Sequence, residues 1–226
     1  MAAMKLDVPL IRQPKDSVDC GVAAVTMVLN FHRTEKTFEE VKKDISTDEV
    51  GTYAPQLGEY LARQHFSVDI VVRIPLLFTR NDENLDKNSL TEKFNRLQHK
   101  GVSIHNLKVI NYFNNFLKWP QNKVTVKIPD KNDIEEEINS GRPLIAFLTN
   151  AALYRENIAE KHKKDFSYTF HTVVITGLEN GKVFVNDPYA EEDGGSKEYP
   201  LEDFLFSMYS SSLGDLDNGS LIKVRK

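Results

Sequence analysis

The stretch Gln13-Pro-Lys-Asp-Ser-Val-Asp19-Cys20-Gly21-Val-Ala-Ala-Val-Thr-Met-Val-Leu-Asn30 changes character at the only cysteine of the chain. Before Cys20 the residues are polar and turn-forming, with Ser17 to Asp19 offering turn and N-cap chemistry. After it, Val22, Val25, Met27, Val28 and Leu29 are apolar on most faces, which predicts a buried central helix from Gly21 to Phe31. The thiol therefore falls at or just before a helix N-terminus. Unpaired backbone N–H groups and the positive end of the helix dipole favour a thiolate there.

Further out, Thr37-Phe-Glu-Glu40 is a capping-box pattern opening a short amphipathic helix to about Ile45. A helix is expected after Gly51-Thr52, with Leu57, Tyr60 and Leu61 on one face and an end near His65, followed by a strand from Ser67 to Arg73. Residues 74–122 are less regular: a polar loop begins at Asn81, and helices are expected over Ser89 to Gln98 and His105 to Leu117. Val124 to Ile128 reads as a strand, Asp130 opens a helix that stops at Ser140-Gly141, and Pro143 to Leu148 is a buried strand. Asn150 to Tyr168 is charged, helical or loop-like. Thr169 to Gly177 and Lys182 to Asn186 read as strands joined by a turn over Leu178 to Gly181. Pro200 to Tyr209 reads as a short helix and Ser220 to Arg225 as a last strand. Helices come first and strands last, which implies an α+β fold.

Composition narrows the function. The 226 residues are 40% hydrophobic and 27% charged, enough to bury a sizeable core. A net charge of −4 and a pI near 5.9 supply no basic excess for nucleic acid. One cysteine excludes an intramolecular disulfide and a thiolate zinc cage. It fits a cytoplasmic protein, or an exported effector that does without disulfides. The N-terminus has no signal-peptide core and no apolar run reaches membrane-spanning length, so the chain reads as soluble with no membrane partner. There is no glycine-rich phosphate loop and no metal-binding carboxylate motif, so no cofactor and no metal are expected. Oligomeric state is not legible.

A cysteine nucleophile needs a base, a group that orients the base, and donors for the oxyanion. His32 follows Cys20 by twelve residues on the same predicted helix, more than about 15 Å away by helix rise. His65, His99, His105 and His162 lie in polar or charged surroundings and read as surface. His171 instead opens the core strand Val173-Val174-Ile175, behind Phe166, Tyr168 and Phe170. Asp187 closes the next strand in Val183-Phe-Val-Asn-Asp187-Pro188 and is the orienting candidate. The two are equidistant from Glu179 and face each other directly if the loop runs from Gly177 to Gly181. A two-residue Asn180-Gly181 turn would set Asp187 against Val174, out of register barring a bulge. The pairing therefore predicts the odd-numbered loop. Gln13, beside the Cys20 backbone N–H, is the oxyanion candidate.

Gln13, the Asp19-Cys20-Gly21 step with its small-residue helix, Phe170-His171-Thr-Val-Val-Ile175 and Val183-Phe-Val-Asn-Asp187-Pro188 together resemble the bacteriocin-processing (double-glycine) peptidases and their stand-alone C39-like relatives. These are papain-like cysteine peptidases. The resemblance spans about residues 7–73 and 140–226, and phytochelatin synthase, a γ-glutamyl transpeptidase of the same group, has a similar opening. It implies a papain-like α+β fold in one domain over residues 1–226, with a helical part at 7–73, an insert at about 74–122 and a sheet part at 123–226. It also implies roles: Cys20 as nucleophile, His171 as base then acid, Asp187 as orienter and Gln13 as oxyanion donor. The expected activity is attack on a peptide or amide carbonyl through a thioester, on a peptide or protein substrate. Acyl or γ-glutamyl transfer, or an inactive papain-like binding domain, are the alternatives. Lys161-His-Lys-Lys164 reads as a solvated face, with the lining of a cleft for an acidic substrate as the alternative, and the acidic loop from Glu191 to Gly195 follows just after Asp187 as a candidate cleft border.

Overall fold

The computed structural model describes residues 4–74, 77–155, 170–191, 194–210 and 219–226. The N-terminal half is helical. A short strand β1 (Met4–Lys5) precedes α1 (Cys20–Phe31), α2 (Phe38–Asp44) and α3 (Ala54–Arg63). Then come β2 (Ser67–Val72), α4 (Lys87–Gln98), α5 (Ile104–Leu117), β3 (Lys123–Val126) and α6 (Lys131–Asn139). The C-terminal half is mostly sheet: β4 (Leu144–Thr149), one-turn α7 (Asn150–Leu153), β5 (Phe170–Glu179), β6 (Lys182–Asp187), β7 (Gly195–Pro200), α8 (Leu201–Tyr209) and β8 (Leu221–Arg225). This is the α+β class expected from the sequence, with a helical first half against a sheet.

The strands form one sheet in the order β3-β2-β8-β4-β5-β6-β7, with β1 added to the far end of β5. Only β2 and β3 run parallel; the other pairs are antiparallel. β4 is buried at all six positions, so its continuous apolar run Leu-Ile-Ala-Phe-Leu serves both faces of the sheet. Helix α1 is buried from Cys20 to Leu29 and packs on β5 and β4. That is why its sequence shows no polar stripe.

Local signals set the helix ends. Thr37 and Glu40 form the expected capping box, and Asp130 caps α6 through the N–H groups of Asn132 and Asp133. In residues 74–122, Phe94 of α4 and Phe113 of α5 stack at 5.5 Å between ring centroids. Phe78 meets them edge-on at 5.6 and 5.3 Å. These rings join the same buried cluster as α1 and the sheet.

Several elements differ from the sequence reading. Asp19 sits at the N-cap of α1 but makes no cap hydrogen bond; its buried carboxylate instead takes the Lys42 ammonium at 2.6 Å. β1 and β7 were not foreseen, because two residues carry no period and β7 is exposed at most positions. The β5–β6 connection is not the odd-numbered loop. Glu179 pairs with Lys182, leaving a two-residue Asn180-Gly181 turn with both residues at positive φ, and the register shifts at a bulge between Ile175 and Gly177.

Candidate active site

The site is assembled where the N-terminus of α1 meets the ends of β5 and β6. Cys20 is the first residue of α1, and only 6% of its surface is exposed. The next residue, Gly21, lets helix α1 lie close against Thr52 and Leu57 because it has no side chain. A Cβ there would stand 2.1 Å from Thr52 Oγ1 and 3.0 Å from Leu57 Cδ1. The glycine of the Asp-Cys-Gly step is thus a packing requirement.

His171 lies on β5 opposite Leu148, buried but for 4% of its surface. Its Nε2 meets Asp187 Oδ1 at 2.7 Å, and the ring also interacts with the Cys20 thiol. Asp187 is fully buried. Its Oδ1 also accepts the Tyr189 backbone N–H at 2.9 Å, and its Oδ2 accepts the Tyr154 hydroxyl at 2.8 Å. The Tyr154 and Tyr189 rings lie 6.5 and 6.1 Å from the imidazole and 6.1 Å from each other.

These contacts fix the charges. Burial pushes the Cys20 thiol up, but the hydrogen bond and charge of His171 outweigh it, with help from the Thr172 N–H, and hold the thiol below its ordinary value. Burial would lower His171, yet the charge and hydrogen bond of Asp187, and those of Cys20, raise it to about 10. Asp187 is itself held below its ordinary value. Burial works against that, while His171, the Tyr189 N–H and the Tyr154 hydroxyl prevail. The favoured state is a thiolate beside an imidazolium.

The Asn186-Asp187-Pro188 run explains how Gln13 arrives. Asn186 Nδ2 donates to the Val8 carbonyl at 2.7 Å and Pro188 accepts the Gln13 N–H at 2.8 Å, stitching the N-terminal segment to the end of β6. Arg12 adds a bond to the Tyr189 carbonyl. Gln13 is buried and shares a cleft of about 200 Å³ with Ser17, Cys20, Asn150, His171 and Tyr189. Its Nε2 donates one hydrogen to the Ser17 carbonyl at 2.6 Å, which leaves a second N–H on the same nitrogen.

All four sequence candidates, Gln13, Cys20, His171 and Asp187, therefore meet at one place. Glu191 lines the cleft, with Asp16 and Glu49; Lys161 to Lys164, His162, Phe166 and Tyr168 lie outside the described residues. His65 and His99 are exposed, and His32 packs beside Phe31 and Phe66 rather than in the cleft. Sequence reasoning missed Tyr154 and Tyr189. Tyr189 had a usable signal, since it stands in the turn that Asp-Pro announces. Tyr154 had none, because only folding brings α7 to β6. Among the described residues no group of three or more His, Cys, Asp or Glu side chains is placed to hold a metal, and no helix is long and apolar enough to cross a membrane.

Residues 5–212 match the model of the Peptidase_C39 like family. No curated protein sequence matches the chain. Among solved structures, a double glycine motif protease from an AMS/PCAT transporter, in complex with the leader peptide, is similar at 14% identity, 100% coverage of this chain, 99% of that chain and a TM-score of 0.49. The peptidase domain of Streptococcus ComA, a bi-functional ABC transporter of a quorum sensing pathway, is similar at 15% identity, 96% coverage of each chain and a TM-score of 0.49.

Proposed function

The chain belongs to the Peptidase_C39 like family, and from this membership and the buried thiol–imidazole–carboxylate array we propose that it is a cysteine peptidase or amidase. The single observation that carries the reading is Cys20 at a helix N-terminus, interacting with an imidazole whose Nε2 is held by a buried carboxylate. Strongly shifted, mutually bonded ionisable groups opening onto a cleft are the pattern of a functional site.

In this reading the Cys20 thiolate attacks a peptide or amide carbonyl. The Cys20 backbone N–H and the second Nε2 hydrogen of Gln13 stabilise the tetrahedral oxyanion. His171 gives its proton to the leaving amine as the C–N bond breaks, leaving a thioester on Cys20. His171 then takes a proton from the incoming water as its oxygen adds to the thioester; the C–S bond breaks, releasing the acid and restoring the thiolate–imidazolium pair. Asp187 keeps the ring oriented throughout and stabilises it whenever it carries the extra proton. The chemistry calls for no cofactor. The substrate is a peptide or protein segment. We read residues 1–226 as one domain, which the shared buried core of α4, α5 and the sheet supports.

The test is alkylation of the native protein by iodoacetamide from pH 4 to 9, beside His171→Ala and Cys20→Ala. The expected result is labelling of Cys20 that persists below pH 7 and weakens in His171→Ala. Labelling only above about pH 8.5, where an ordinary thiol ionises, or only after unfolding, would sink the reading. Acyl transfer is separated from hydrolysis by adding an amine acceptor and identifying the product.

A further inference from the structure

We propose that Tyr154 is a positioning residue of this site, holding Asp187 through its second oxygen so that the first stays aimed at His171 Nε2. The assignment rests on the nucleophile reading above and extends it to a residue outside the Gln-Cys-His-Asp set. Three observations on separate elements carry it.

First, Asp187 has two oxygens with divided tasks. Oδ1 serves the imidazole and the Tyr189 N–H, and Oδ2 serves the Tyr154 hydroxyl at 2.8 Å. A buried carboxylate with one oxygen unbound would rotate about its Cβ–Cγ bond and lose the straight line to the ring. Second, Tyr154 stands at the C-cap of α7, which begins where β4 ends. β4 also pairs with β5 at Leu148 and His171. The hydroxyl therefore approaches Asp187 from a different element than the histidine does, and the carboxylate is clamped between the two. Third, the rings of Tyr154 and Tyr189 pack at 6.1 Å and both lie within 6.5 Å of the imidazole. They cover the His171–Asp187 pair, and excluding water strengthens that ion pair.

The consequence runs through the chain of charges. A carboxylate held in place favours the imidazolium, and the imidazolium favours the Cys20 thiolate. Removing the hydroxyl therefore moves the acid limb of thiolate reactivity to higher pH, an effect that a merely structural tyrosine would not produce.

The experiment compares wild type, Tyr154→Phe, Asp187→Ala and the double variant by iodoacetamide alkylation across pH 4 to 9, with thermal melting as a check that each is folded. Tyr154→Phe keeps the ring and its packing. It is expected to lower the rate at pH 6 roughly tenfold, the loss of one hydrogen bond to a charged group, and to move the acid limb upward. In the Asp187→Ala background the same substitution is expected to change neither. An unmoved limb in Tyr154→Phe, or an equal shift with and without Asp187, overturns the assignment while leaving the nucleophile reading intact. A wild-type protein that labels only after unfolding overturns both.

Discussion

Asp187 reaches His171 on a diagonal. Continuing the β5–β6 register places Asp187 opposite Val173, two residues from the histidine to which it is bonded at 2.7 Å. Counted back from the Asn180-Gly181 turn without interruption, Asp187 would oppose Val174, whose side chain points to the other face from His171. The bulge between Ile175 and Gly177 absorbs one residue of β5 and restores the parity. Asp187 then shares a face with Val173 and His171, and a diagonal neighbour is within reach of long side chains. Leu6 N–H bonds the carbonyl of Thr176 at 2.7 Å, so the N-terminal segment is anchored at the bulge itself.

Gln13 separates two chemistries that share one thiol. Alkylation by iodoacetamide develops no oxyanion, whereas acylation by an ester does. Gln13→Ala is expected to leave the alkylation rate within about twofold and to slow acylation by p-nitrophenyl acetate by roughly a hundredfold. Stopped-flow release of nitrophenol measures the second rate. Equal losses in both assays would assign Gln13 to holding the Cys20 loop rather than to the oxyanion.

Gly21 predicts the sensitivity of the nucleophile to packing. The added methyl of Gly21→Ala meets Thr52 Oγ1 at 2.1 Å, closer than any contact can be. Either the Thr52 side chain or helix α1 must give way, at a cost of about 1–3 kcal/mol, and a shift of the helix carries Cys20 with it. Urea unfolding and the Cys20 alkylation rate are both expected to fall. Thr52→Ala in the same chain removes the nearest obstacle and is expected to recover part of each; no recovery would place the strain elsewhere.

His171 makes stability depend on pH in a stated direction. The folded chain holds its proton to about pH 10, against an ordinary value of 6.5. A group that binds its proton more tightly when folded contributes stability that is fully present below its unfolded value and is lost as pH rises through the folded one. The Cys20 thiol runs the other way: its folded value is lowered, so its contribution is present above its ordinary value and is lost as pH falls. Asp187→Asn removes the main support of the imidazolium. The stability gap between wild type and Asp187→Asn is expected to be widest between about pH 5 and 6.5 and to narrow toward pH 10. Chemical denaturation at five pH values checks it, and a gap constant across that range would show that the imidazolium is not what Asp187 stabilises.

The sequence by itself determined the elements that carry strong local signals. The turn-to-helix change at Cys20, the capping chemistry at Thr37 and Asp130, and the apolar run of β4 are all properties of a few neighbouring residues, and each formed where its pattern placed it. The same local logic singled out His171 at the mouth of a core strand and Asp187 at the end of the next. What the tertiary structure decided were relations between distant segments. The bulge in β5 lies beside Gly177, an isolated glycine in a strand pattern that is a local bulge signal, but which strands pair on either side of it is a tertiary fact. Asp19 turned from a cap to an ion pair because α2 brought Lys42 to it. Tyr154 came to Asp187 only because β4 and β6 flank β5. Local patterns are fixed by backbone geometry over one or two turns, whereas a site of three ionisable groups, one amide and two tyrosine rings exists only once the sheet has closed its register.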